Sequence, residues 1–357
     1  MNNIHSLFEA FCSKEHGCTG GQLSVWHHNQ EIINCGIGED GVGLSIDQDS
    51  LFAIYCAAKP FLAVLMELLD YSSVLSFDTM IGNVLPDVRP RLRTVTIREI
   101  LTHRACLIRP SGPEGIVGSA VVKDELLNGI ELGPGYGRPG LGAYSEWAGW
   151  YVLAKVVERV TGTCAADLVD RDVVVPLGLA GEVVANMPVM TLRDVGRIRC
   201  NVAERSGRLT AAVFERTSLY RRYGGGGIGA FATMSGVARF YKAVLESQGS
   251  SRFLLGVPGA RIRSHLLLDD GERFDLLMQR QCSYVSGFMT RLRSHGFGQV
   301  VSNGAFGNLG LTGMTVAFGD PSSDLAVAWH RNGISPGDPD ADGRSFLIDA
   351  IYDAIEA

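Results

Sequence analysis

Residues 51–63 read LFAIYCAAKPFLA, and this stretch decides how the rest of the chain is interpreted. The residues up to Tyr55 are apolar, and from Cys56 onward apolar residues recur at helical spacing, which predicts a helix beginning at Cys56. Cys56 and Lys59 would then share one face of that helix. A lysine and the positive end of the helix dipole both favour a thiolate, the reactive form of cysteine.

The spacing by itself supports two interpretations of this pair. A buried cysteine above a surface lysine would show the same pattern without any chemistry. In a reactive pair, Lys59 could serve either as a neutral base or as a charged anchor, because a lysine changes its pKa readily when buried.

Composition excludes several other classes of protein. The chain has 357 residues, 46% hydrophobic and 20% charged, with a net charge of -6. These values are typical of a folded globular protein. The sequence has no block of basic residues of the kind that binds nucleic acid. It also has no basic amphipathic helix of the kind that contacts a membrane. The N-terminus lacks the pattern of a signal peptide, so we expect a cytoplasmic protein.

The eight cysteines show no spacing typical of a metal site. We therefore expect no metal and no cofactor. Except for Cys56, they are interpreted as small buried residues in a reducing compartment.

The order of predicted elements indicates an α+β fold. Strands are predicted near the N-terminus, over 22–28 and 31–36, and again in the last third, over 278–286, 296–302, 313–319 and 325–332. Helices are predicted over 3–14, 145–160, 235–245 and 346–355. This order fits an antiparallel sheet built from both ends of the chain, residues 1–70 and 224–357, with a mainly helical lobe inserted over 71–223.

Several motifs resemble the serine β-lactamase and penicillin-binding-protein family, which includes class C β-lactamases, esterases and DD-peptidases. Residues 51–63 resemble the S-x-x-K segment, with Cys56 in the serine position. The other matches follow in family order: the stretch 77–86, the TIREILTH run at 96–103, the Tyr144-Ser145-Glu146 triplet before a long helix, the PLGL turn at 176–179, the glycine run at 225–229 and the end of the chain over 303–332.

The resemblance implies a β-lactamase/transpeptidase-like fold with an active site in the cleft between the two lobes. It implies that Cys56 is the nucleophile, assisted by Lys59 and Tyr144, and that the backbone N–H groups of Cys56 and Leu311 form the oxyanion hole. Further residues are expected to contact the substrate: Glu146, Trp147, Tyr223, Asn308 and Gly310.

Four departures from the family pattern affect these expectations. Cys56 replaces serine, and it would form a thioester. Glu146 replaces an amide; it either favours the charged form of Lys59 or points into water at a helix start. Asn308 replaces the usual cation that holds a substrate carboxylate, which argues against ordinary β-lactam hydrolysis. The run 104–107 replaces T-S-G-L, so we expect a different loop there.

These residues predict an acyl-transfer enzyme that acts on an ester, amide or thioester and passes the acyl group to an acceptor or to water. The expected partners are a small-molecule acyl donor and an acceptor, and the donor could be bound to a carrier protein. By analogy with relatives that act as acyltransferases, we expect a role in specialised metabolism. A conventional esterase, amidase or peptidase is one alternative. A non-catalytic binding protein is the other, because Cys56, Glu146 and Asn308 all differ from the family pattern.

Overall fold

The computed structural model describes residues 2–13, 17–108, 127–185, 187–205, 208–216, 229–246, 264, 271–310, 313–333 and 343–356. The helices described in it are α1 (Asn2–Phe11), α2 (Lys59–Tyr71), α3 (Ile81–Val84), α4 (Pro90–Arg93), α5 (Ile97–Leu101), α6 (Ala148–Thr161), α7 (Ala165–Val169), α8 (Leu192–Arg197), α9 (Met234–Leu245) and α10 (Arg344–Glu356). Short 3₁₀ turns span Tyr55–Ala58, Met187–Val189, Val213–Arg216 and Leu292–His295, and a π-helical turn spans Asp170–Val174.

A large, mainly antiparallel sheet organises the molecule. The strands are β1 (Gly20–His27), β2 (Gln30–Gly38), β3 (Phe52–Ala53), β4 (Leu107–Ile108), β5 (Glu131–Leu132), β6 (Leu141–Gly142), β7 (Val183–Val184), β8 (Val202–Arg205), β9 (Arg208–Ala211), β10 (Phe231–Ala232), β11 (Arg273–Asp275), β12 (Arg280–Val285), β13 (Phe288–Thr290), β14 (Phe306–Gly310), β15 (Thr315–Asp320) and β16 (Leu325–Asn332). The large sheet has the order β2-β1-β16-β15-β14-β13-β12-β11-β6, while β3-β10-β7 form a smaller sheet, and β4-β5 and β8-β9 form two pairs.

Strand β16 shows why both faces of the sheet are covered. Alternate side chains of a strand point to opposite faces. Leu325, Val327 and Trp329 join the cluster that holds α1 and α10, whereas Ala326 and Ala328 join the cluster that holds α2, α6 and α9. All residues of β16 are buried. The sheet is therefore the middle layer between two groups of helices.

The predicted fold class is confirmed, with local corrections. The strand predicted over 296–302 is wrong: these residues form turns and bends that follow the 3₁₀ turn Leu292–His295, and the Phe297 N–H donates back to the Leu292 carbonyl. Strand β6, from the middle of the chain, joins the large sheet as the parallel neighbour of β11. The division into two lobes stays a prediction.

Among the residues described, the model contains no helix whose length and apolar character would let it cross a membrane.

Candidate active site

The segment that carries Cys56 is a 3₁₀ turn followed by α2. Helix formation was predicted from Cys56, but the α-helix begins at Lys59. The carbonyl of Ile54 accepts from the N–H of Ala57 at 3.0 Å, and the carbonyl of Cys56 accepts from the N–H of Lys59. Pro60 has no N–H to continue the α pattern toward Cys56, so the tighter turn is kept.

Lys59 is fully buried at the start of α2 and points to Tyr144. Its Nζ donates to the Tyr144 hydroxyl at 2.5 Å and to the Ser145 carbonyl at 3.0 Å. Burial lowers the pKa of Lys59, while the charge of a Cys56 thiolate and its hydrogen bond to the ammonium raise that pKa. Burial raises the pKa of Tyr144 well above its usual value, and the Cys56 thiolate raises it further. The phenol therefore keeps its proton at neutral pH.

His103 holds the Tyr144 loop in place. Burial lowers the pKa of His103 well below its usual value, so the ring is neutral. Its Nδ1 can then accept the N–H of Ser145, at 2.9 Å, and its ring packs on Tyr144 with centroids 4.6 Å apart. These two contacts of His103 orient Tyr144.

Cys56 differs from the other thiols in its contacts. It is half-buried, and its Sγ donates to the carbonyl of Glu146 at 3.7 Å. The expectation that the other seven are buried is wrong for Cys35, which is half-buried, and for Cys164, which is exposed. Burial raises the pKa of six of these thiols, those of Cys12, Cys35, Cys106, Cys164, Cys200 and Cys282.

Glu146 and Trp147 were expected in the first turn of a long helix, but α6 begins only at Ala148. The Ser145 hydroxyl accepts from the N–H of Gly149 at 2.7 Å, and Trp147 has a φ of −137°, outside the helical range. Glu146 is exposed, yet its charge raises the pKa of Lys59. Trp147 is buried. Glu146 therefore faces solvent and still contributes to the charge around Lys59.

Strand β14 passes directly beside the Cys56 turn. A Cβ on Gly310 would lie 2.3 Å from the carbonyl oxygen of Ile54, so only glycine permits this close approach. Asn308 is buried; its Oδ1 accepts from the N–H of Leu309 at 2.7 Å, and its Nδ2 donates to the carbonyl of Gly287 at 3.4 Å. Two further expected residues, Leu311 and Tyr223, lie outside the described residues.

A cavity of about 330 Å³ opens beside Tyr144. Its lining is formed by Cys106, Leu107, Ile108, Gly133, Pro134, Ala143, Tyr144, Ser145, Glu146, Trp147, Ala148, Leu276 and Leu277. Among the described residues that line it, Glu146 is the one with a charged side chain. The sequence did not indicate Leu276 or Leu277, since neither belongs to a motif.

The one feature of the sequence that could have indicated this cavity is Cys106. It stands where the family pattern has glycine, and it keeps a left-handed φ of 47°. The 104–107 loop was expected to differ from the family pattern. At Cys106 it places a side chain in the cavity wall, on a backbone conformation that suits glycine.

Comparison with known proteins identifies the family. A family model described as Beta-lactamase matches residues 6–350. Esterase EstB of Burkholderia gladioli is 30% identical over 188 residues, 46% of this chain and 47% of the esterase. Penicillin-binding protein 4* of Bacillus subtilis is 25% identical over 190 residues. The chain spans less than half the length of these two relatives, 47% of the esterase and 40% of the penicillin-binding protein.

Solved structures agree on the fold. A penicillin-binding protein homologue from Caulobacter crescentus has a TM-score of 0.77 at 19% identity, over 98% of this chain and 96% of that chain. EstCE1, described as a hydrolase with promiscuous acyltransferase activity, has a TM-score of 0.76 at 16% identity, over 98% of this chain and 99% of that chain. Because a family model matches almost the whole chain, residues 6–350, the chain belongs to the Beta-lactamase family.

Proposed function

We propose that this protein is an acyl-transfer enzyme that uses Cys56 as its nucleophile and forms a thioester acyl-enzyme. The observation that supports this most strongly is the fully buried Lys59 side chain, whose Nζ lies 2.5 Å from the Tyr144 hydroxyl, three residues after Cys56. Burial lowers the pKa of Lys59 and the charge of a Cys56 thiolate raises it, so the amine and the sulfur are coupled, and the thiolate is the form of cysteine that attacks an acyl carbon.

The reaction has two steps. In the first, the Cys56 thiolate forms a bond to the acyl carbon, and the bond to the leaving group breaks. The Tyr144 hydroxyl, or Lys59 through it, supplies the proton that the leaving oxygen or nitrogen needs. In the second step, an acceptor or water attacks the thioester, loses its proton to the same pair, and releases the Cys56 sulfur as thiolate.

The cavity suggests the kind of acyl donor. Most of its lining is apolar, and the charge that it carries, on Glu146, is negative. Asn308 stands where family members carry a cation, and its side chain already bonds to neighbouring backbone groups. We therefore expect an uncharged ester, amide or thioester with an apolar acyl group, and weak turnover of donors that bear a carboxylate.

Transfer to an acceptor is included because thioesters react well with amine and carbon nucleophiles. A relative in fold, EstCE1, is described as having promiscuous acyltransferase activity. A carrier-protein-bound donor extends the same proposal, because a carrier protein holds its acyl group as a thioester, which would exchange with Cys56. A place in specialised metabolism is part of the same proposal.

The test is to incubate the protein with p-nitrophenyl butyrate and with an N-acetylcysteamine thioester, and then locate the adduct by mass spectrometry. We expect a butyryl group on Cys56, none on Cys56→Ala, and an unchanged yield with Cys164→Ala, which removes an exposed thiol instead. Absence of any adduct across esters, thioesters and amides would contradict the proposal.

Two further measurements separate the alternatives. A conventional hydrolase should retain ester hydrolysis in Cys56→Ser, whereas transfer through a thioester should be lost. A binding protein without catalysis should show slow alkylation of Cys56 by iodoacetamide near neutral pH, while the proposed enzyme should show rapid alkylation.

A further inference from the structure

Tyr55, the residue directly before Cys56, has an unusual backbone conformation. Its φ is 46°, in the left-handed region. That region is unfavourable for an aromatic residue, because the Cβ crowds the following carbonyl. The side chain is buried among Leu51, Met187 and Phe231. Such a conformation persists only where the surroundings enforce it.

The hydroxyl of Tyr55 ends on a buried carboxylate. It donates to Glu215 Oε1, and Glu215 lies in the 3₁₀ turn Val213–Arg216 with no exposed surface. Asn201 donates to the same carboxylate twice, from its backbone N–H to Oε2 and from Nδ2 to Oε1, both at 2.9 Å. Burial raises the pKa of Glu215 to about 7, and the hydrogen bonds from Tyr55 and Asn201 oppose that rise.

The same cluster is tied to the backbone leading into the Cys56 turn. Nδ2 of Asn201 also donates to the carbonyl of Ala53 at 3.0 Å. Next to it, Leu51 exchanges two backbone hydrogen bonds of 2.9 Å, with the carbonyl of Arg197 and the N–H of Arg199. Residues 51–55 are therefore held from one side by residues 197–201 and Glu215.

We propose that Glu215 and Asn201 are positioning residues that hold Tyr55 in its left-handed conformation and so fix where the Cys56 sulfur lies relative to Lys59 and Tyr144. If Tyr55 returned to negative φ, the following peptide would rotate and displace Cys56. This inference rests on the proposed role of Cys56 as the nucleophile.

Two substitutions at Tyr55 separate positioning from packing. Tyr55→Ala and Tyr55→Gly both remove the ring and leave the same space, but only glycine adopts a φ of 46° without strain. We expect Tyr55→Ala to change the rates of Cys56 acylation and of Cys56 alkylation about tenfold or more. We expect Tyr55→Gly to restore both rates to within about threefold of the parent. If Tyr55 only fills space, glycine will be no better than alanine, and the proposal is overturned.

Milder variants guard against loss of folding. Tyr55→Phe keeps the ring but removes the anchor to Glu215, and Glu215→Gln keeps an oxygen for Asn201 and an amide that can donate to Tyr55. We expect Tyr55→Phe and Glu215→Ala to lower kcat for p-nitrophenyl butyrate with KM nearly unchanged, and Glu215→Gln to retain most of the rate. A parallel fall in all three would contradict positioning through this hydrogen bond.

A matched control exists elsewhere in the molecule. The Tyr352 hydroxyl donates to Asp320 Oδ2 at 2.5 Å, so Tyr352→Phe removes the same type of buried bond far along the chain from Cys56. It should leave both rates unchanged. Because alkylation by iodoacetamide needs no acyl donor, the comparison of Tyr55 variants remains decisive even if no donor acylates the parent protein. That outcome would reject the proposed function alone, whereas equal alkylation of all Tyr55 variants would reject the positioning role.

Discussion

The two sides of the candidate site differ in how much of the family pattern they keep. On the helical side, Lys59, Tyr144 and Ser145 form a continuous buried set of hydrogen bonds next to Cys56. On the strand side, Asn308 replaces the family's cation and bonds only to its own surroundings. In the proposed function, the first side serves proton transfer and the second meets the charge of the substrate. The contrast supports the proposal that the reaction type is kept while the preferred substrate has changed.

The largest effect is expected from Lys59→Ala. It removes the donor to the Tyr144 hydroxyl and the Ser145 carbonyl, and it removes the cation that stabilises a Cys56 thiolate. The rate of Cys56 acylation should fall by about a hundredfold or more. The acylation rate is measured by following the release of p-nitrophenol from p-nitrophenyl butyrate in a stopped-flow experiment. Lys155→Ala is the control, because it removes a lysine that pairs with Glu158 within α6. An equal loss in both variants would show that Lys59 has no special role.

A smaller loss is expected from Tyr144→Phe, which keeps the ring against His103 but removes the hydroxyl that accepts from Lys59. Because a thiolate needs less help from a base than an alkoxide does, we expect a fall of about tenfold to a hundredfold in kcat. The control is Tyr284→Phe. Tyr284 is also buried, and its ring centroid lies 5.8 Å from that of Tyr144, but its hydroxyl donates to Asp275. If Tyr284→Phe reduced kcat as strongly, the phenol of Tyr144 would have no direct part.

Asn308→Lys tests the strand side. It restores a cation where family members have one, so hydrolysis of the carboxylate-bearing cephalosporin nitrocefin should rise about fivefold to tenfold relative to p-nitrophenyl butyrate. Asn308→Ala removes the same amide without adding charge, and its ratio of the two rates should stay close to that of the parent. An unchanged ratio in Asn308→Lys would mean that charge at this position does not select the substrate.

Local signals predicted the helical side well. The spacing of Cys56 and Lys59 was a weak signal by itself; the resemblance of the motifs around Cys56 and Tyr144 to the family pattern is what singled out these residues, and Lys59 and Tyr144 are in direct contact. Helix starts were less accurate, because the side chain of Ser145 and the missing N–H of Pro60 delay α6 and α2 by a few residues.

Contacts between distant segments could not be predicted. Tyr55 and Glu215 are separated by 160 positions, and nothing in either local pattern indicates the other. The apolar lining from Leu276 and Leu277 depends in the same way on where β11 meets β6. Burial of Asn308 also escaped prediction, since an asparagine in a strand usually faces solvent.

The smallest effects concern stability against pH, and here two buried groups should act in opposite directions. Burial lowers the pKa of His330 to about 3, so only the unfolded chain takes up that proton between about pH 3 and 6.5. The stabilisation of the folded protein that is linked to neutral His330 is complete above about pH 6.5 and is lost as the pH falls toward about 3. Burial raises the pKa of Glu215 to about 7, so the folded chain binds that proton first, and stability is gained as the pH falls from about 7 to 4.5.

Urea unfolding at pH 5 and pH 6 distinguishes the two groups. His330→Gln should make the loss of unfolding free energy on acidification shallower, and Glu215→Gln should make it steeper, each by up to about 1.4 kcal/mol per pH unit. His5→Gln, on the exposed face of α1, should leave the slope unchanged. A change of the same sign in both buried variants would show that Glu215 is ionised in the folded protein throughout this range. Glu215 would then be a fixed negative charge that accepts the hydrogen bonds of Tyr55 and Asn201 over this whole range.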